Sequence, residues 1–198
     1  MKKLFVFLFT CAALFLTCTS QVDHNVPASS VVRAKVPAED WQSDLRFLQH
    51  TVHKDYSFLF KNITTKDFDL QVDKLYNAIP GMKEHEVLGG FARLVASFKY
   101  GHTDIGWRES PVKYHVAPVS FYWFSDGVYA EGADKKYEKI IGAKLVRIEG
   151  VPVEQALASI KPLVPAENDQ YFKAYGMDHI TIPEALHAQK ISKELKPS

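Results

Sequence analysis

Apolar residues recur at helical spacing from Trp41 onward. Trp41, Leu45, Leu48 and Val52 share one face of a helix, and Phe68, Val72, Leu75 and Ile79 repeat the pattern behind Thr64 and Thr65 as candidate N-caps, with Pro80-Gly81 as a stop. A third stripe, Val87, Leu88, Phe91, Leu94, Val95 and Phe98, runs on toward Gly101. Three short amphipathic helices can bury their stripes against one another, so the pattern predicts a small helical N-terminal domain over residues 38–106.

The period then changes. VAPVSFYWF, a Ser125-Asp126-Gly127 turn and VYAEGA predict a hairpin, and KLVRIEG alternates up to Gly150 as a further strand. Val153, Ala156, Leu157 and Ile160 return to helical spacing. A β-rich domain with one helix is therefore predicted over residues 112–165, which makes the fold class α+β. Residues 166–198 carry the aromatic anchors Tyr171, Phe172 and Tyr175 and a short helical pattern from Ile182 to Ile191, and form a tail without a predicted strand.

The N-terminus differs in kind. Residues 1–20 have a cationic start at Lys2 and Lys3, an apolar run from Leu4 to Leu16, and small or polar residues before Gln21, the layout of a secretory signal peptide cleaved near Ser20. Lipidation at Cys18 is the alternative, although Thr17 is a poor residue to precede a lipid-carrying cysteine. The run is too short for a bilayer span, and no second candidate follows, so the mature chain is expected to have no integral membrane span and to be exported to the periplasm or cell envelope. Residues 21–37 read as a linker. Both cysteines, Cys11 and Cys18, lie in the leader, which removes thiol and disulfide chemistry from the mature chain.

Composition narrows the partners. Hydrophobic residues make up 46% of the 198-residue chain, enough to bury a core. Without the leader, 22 basic residues face 23 acidic ones, and that balance gives no electrostatic case for nucleic acid.

The strongest local feature for chemistry is KYGHTDIGW, residues 99–107, where a helix is predicted to end at Gly101 and present His102. A histidine there can serve as a general base or simply occupy the surface or cap the helix. His50 and His53 lie three apart on a helix, but a zinc site needs three or four ligands and no partner pair follows, so no metal and no cofactor are expected. His85 between Glu84 and Glu86 reads as an ordinary helix start, and His24, His115, His179 and His187 carry no motif. There is no G-x-S-x-G or S-x-x-K; Ser97, Ser120 and Ser159 fall in predicted helices or strands. Asn62-Ile63-Thr64 matches a glycosylation sequon, and Gly89-Gly90 lacks the spacing of a phosphate loop.

A helical cap, then KYGHTDIGW, then APVSFYWFSDGVYAEGADKKYEKIIGAKLVRIEGVPVEQAL resembles the front of the C-terminal-processing, tail-specific, tricorn-like serine peptidases. The IIGAKLVRIEGVPV stretch resembles the G-D-x-I-x-x-I-N-G-x-x-V segment of their PDZ-like domains, with Ala143 where Asp is usual and Glu149 where Asn is usual. The resemblance implies that residues 112–165 are PDZ-like and receive unstructured peptide or protein C-termini, docked as an added strand with the carboxylate held by backbone N–H groups. It implies His102 as the general base of the serine. The nucleophilic serine and oxyanion glycine of such peptidases belong to a further α/β domain, so the chain is expected to be inactive alone, with its tail leading toward that domain. A stand-alone envelope peptide-binding or scaffolding module is the alternative reading.

Overall fold

A computed structural model describes residues 35–105, 112 and 114–195, and these belong to one compact unit. The leader and most of the linker lie outside the described residues, as do Gly106 and Trp107.

The three helices form where the stripes place them. α1 (Ala38–Asp55) buries Trp41, Leu45 and Val52. α2 (Thr65–Ala78) starts on Thr64, whose Oγ1 accepts the Asp67 N–H at 3.1 Å, and it buries Phe68, Val72 and Leu75. Burying side chains of this size stabilises by about 1.5–3 kcal/mol each, which is why these faces turn inward. α3 (Glu84–Ala96) passes through Gly89-Gly90 without a break. It stops before the expected end at Gly101: Ser97 Oγ donates to the Leu94 carbonyl at 2.6 Å and Lys99 takes a φ of +51°, so the chain turns away while Phe98 remains in the core. There Phe98 packs against Phe60 and Phe68.

The hairpin forms from β1 (Val119–Phe124) and β2 (Gly127–Ala133), antiparallel, with Phe124 paired to Gly127. β3 (Lys144–Leu145) adds to β2 and gives the sheet order β1-β2-β3. The single strand expected across KLVRIEG is divided at Val146: β4 (Arg147–Ile148) leaves the sheet and pairs instead with β5 (Val151–Pro152). The Val146 carbonyl accepts the Val153 N–H at 3.1 Å, which anchors α4 (Val153–Ile160) to the strand break. All four apolar positions of that helix, Val153, Ala156, Leu157 and Ile160, are buried.

The tail contributes two helices. α5 (Asp169–His179) starts on Asn168, whose Oδ1 accepts the Tyr171 N–H at 2.9 Å, and packs on β1. α6 (Pro183–Ala188) packs on α3. The core therefore runs continuously from Trp41 through Val128 and Leu157 to Ile191, and the fold is a mixed α+β arrangement of helices followed by a small antiparallel sheet region. Among the described residues no helix is long and apolar enough to cross a membrane.

Candidate functional site

His102 lies past the end of α3 on a segment that α5 holds in place. The Gly101 N–H donates to Glu167 Oε1 at 2.8 Å, and Tyr171 Oη donates to the Gly101 carbonyl at 2.5 Å. Gly101 is needed because an added Cβ would stand 2.4 Å from the Tyr171 ring. Thr103 closes the turn, its Oγ1 donating to the Tyr100 carbonyl at 2.7 Å. The imidazole of His102 is solvent-exposed and meets the Tyr100 ring edge-on, with centroids 6.2 Å apart. Among the described residues no serine hydroxyl hydrogen-bonds it. The peptide on either side is therefore fixed while the ring is open to a partner.

The segment also packs toward a buried histidine. Burial pushes His179 below the ordinary imidazole range, while its bond to the Tyr175 carbonyl and the carboxylates of Asp104 and Asp178 pull the other way. Burial likewise raises Tyr171, helped by Tyr175, Asp104 and Glu167.

The pair weighed for metal does not converge. His53 Nε2 sits 2.8 Å from Asp69 Oδ1, with its ring tilted against Phe60 and edge-on to Phe68, whereas His50 is exposed. The structure instead joins His85 to His187, remote in sequence, with ring nitrogens 2.9 Å apart and Glu86 beside them. Sequence spacing carried no sign of this, since the two residues are 102 positions apart. His115 pairs with the buried carboxylate of Glu184. The serines have local roles: Ser97 and Ser159 donate to the carbonyls of Leu94 and Gln155. The sequon's Asn62 spends its amide nitrogen on the Phe98 carbonyl at 2.9 Å.

Two surface concavities bear on peptide binding, one at the larger sheet and one among the helices. One, of about 370 Å³, is lined by Phe124, Tyr129, Ile141 and Gly142 with Asp126 and Glu131 at its rim. Its charge suits an apolar side chain and repels a carboxylate. The other, of about 420 Å³, lies between α3 and the turn after α4, where Ala96, Ala158, Pro162 and Val164 give an apolar lining and Arg93 and Lys99 supply positive charge, Lys161 being paired with Asp169 at 2.9 Å. Burial lowers Arg93 from its ordinary range. A groove with apolar walls and cationic groups complements a chain end that carries an apolar side chain and a carboxylate.

The IIGAKLVRIEGVPVEQAL segment builds β3 on the larger sheet, then β4, a tight turn and β5 as a separate two-stranded sheet, and then α4. Gly142 opens it at φ +84°, with its N–H on the Ala130 carbonyl at 2.8 Å. Glu149 at +49° and Gly150 at +81° form the two-residue turn between β4 and β5, the left-handed pair that a tight hairpin requires. No family model matches the chain, and neither a curated protein nor a solved structure matches it.

Proposed function

We propose that the chain forms the helical N-terminal and PDZ-like portions of an exported tail-specific serine peptidase, and that it receives the C-terminal ends of unstructured polypeptides. The observation that carries the reading is the turn–helix unit over residues 147–160, in which Gly150 turns left-handed at φ +81° and Val153 begins α4, as the resembling segment implies. Export rests on the layout of the leader.

Two further observations support the roles within that reading. His102 stands exposed on a segment pinned by Glu167 and Tyr171, the condition of a general base that meets its serine from another domain. Proton abstraction by His102 needs a nucleophile within about 3 Å, and among the described residues no serine hydroxyl bonds it, so binding without cleavage is the expected behaviour of the purified protein. The cationic groove beside α4 is lined by helix and turn residues and no strand, so a terminal carboxylate there is held by the side chains of Arg93 and Lys99 and not by the strand addition that the resemblance implies.

The experiment is a titration of the purified protein with an unstructured peptide as the free acid and as the C-terminal amide. Binding in the micromolar range or weaker is expected for the acid, with the amide weaker. Equal binding of the two forms rules out carboxylate capture, and peptide hydrolysis abolished by a substitution within this chain rules out the need for a second domain.

A further inference from the structure

α6 lies against α3 so closely that a Cβ on Gly89 would stand 2.9 Å from the Cβ of Ala188. His85 is one helical turn before Gly89, and His187 immediately precedes Ala188, so the same close approach brings two imidazoles together. Their centroids are 4.8 Å apart at 75°, and His85 Nε2 is 2.9 Å from His187 Nδ1. The Glu86 carboxylate joins them: its Oε1 is 3.9 Å from His187 Nδ1, and one ligand atom from each of the three residues lies within 4.8 Å of the others.

A hydrogen bond between the rings accounts for only part of this arrangement. If His85 Nε2–H donates, the lone pair of His187 Nδ1 is used, and the carboxylate oxygen faces an acceptor. If His187 Nδ1–H donates to His85, the one proton is spent and the carboxylate is again left out. A cation among the three atoms satisfies all of them at once.

We propose that His85 Nε2, His187 Nδ1 and Glu86 Oε1 bind one divalent transition-metal ion of the zinc class, which clamps α6 to α3 and leaves a fourth position to water. At metal–nitrogen distances of about 2.0–2.1 Å, tetrahedral ligands stand about 3.3 Å apart. The imidazole pair must open slightly for this, and Glu86, on the more exposed side, must move inward. Two imidazoles and one carboxylate suit zinc and its neighbours and do not suit calcium or magnesium, which take oxygen ligands.

The surroundings favour the bound form. Glu86 Oε2 accepts the Lys83 N–H at 2.7 Å, the kind of second bond that orients a ligating carboxylate. The positive end of the α3 dipole opposes a cation, and Glu84 and Glu86 in its first turn offset it.

The test is calorimetric titration of untagged, chelator-treated protein with zinc chloride, together with the visible absorption of the cobalt(II)-loaded protein. One equivalent is expected to bind at about micromolar Kd or tighter, with a tetrahedral cobalt spectrum. His187→Gln and Glu86→Gln, on the accessible side, are each expected to weaken binding at least about tenfold, while His53→Gln leaves it unchanged. If His85→Gln fails to fold, those two variants still decide the matter. Absence of binding, or binding indifferent to His187→Gln, overturns the proposal and leaves the histidines as a hydrogen-bonded pair.

Discussion

Glu149 occupies a conformation that its side chain resists. At φ +49° it lies in the left-handed region, where a residue with a Cβ pays about 1 kcal/mol or more, and where Asn is better tolerated. The turn persists because β4 and β5 pair on both sides of it and Arg147 Nη1 donates to the Gly150 carbonyl at 2.7 Å. Glu149→Asn is therefore expected to stabilise the protein by about 0.5–1 kcal/mol, measured as a shift of the urea midpoint at unchanged slope. Destabilisation would mean that the Glu149 side chain makes a contact worth more than the backbone strain. The identity of Glu149 was visible in the sequence, but its cost became visible only with the φ angle.

At the scale of elements, the helices and the hairpin were legible because burial imposes a period. Trp41, Leu45 and Val52 on α1, Phe68, Val72 and Leu75 on α2, and the four apolar positions of α4 all face the core. Two features were not legible, since neither leaves a periodic trace. The stop of α3 at Ala96 depends on Lys99 turning left-handed, and the division of KLVRIEG into β3 and β4 depends on which neighbour each pair of residues meets. Nor does periodicity reveal that α3 uses Gly89 to admit α6, the contact that assembles His85, Glu86 and His187. That packing sets an expectation with a definite sign. Gly→Ala in an ordinary helix stabilises by about 1 kcal/mol, but at position 89 the new Cβ meets Ala188 at 2.9 Å, and overpacking costs about 1–3 kcal/mol. Gly89→Ala is expected to lower the unfolding free energy, and an increase would show that the α3–α6 seam is loose.

Across the whole molecule, the seams hold two histidines whose pKa values are depressed, and this fixes how stability follows pH. Burial lowers both His85 and His179 below the ordinary 6.5, with the charge of His187 adding to the effect at His85. The unfolded chain takes up these protons as pH falls through about 6.5 while the folded chain does not, so the unfolded state is favoured progressively below that pH. Asp69 adds to the loss only below 3.8: burial raises it, but hydrogen bonds from Gln49 and His53 outweigh that and hold it low. The thermal midpoint is expected to fall from pH 7.5 to pH 5, with a shallower fall in His179→Gln; a midpoint that rises on acidification contradicts both burials. The cationic groove was not legible in the sequence, because Arg93, Lys99 and Lys161 come from α3, the turn beyond it and the turn after α4. That groove gives the most direct measurement of the central claim, the ratio of affinities for a free-acid peptide and its amide. Bonds to a charged group are worth about 1.5–3 kcal/mol, so the acid is expected to bind roughly tenfold or more tightly, and Lys99→Glu to remove most of that preference. A ratio near one, or a preference unaffected by Lys99→Glu, would contradict capture of the chain end at this site.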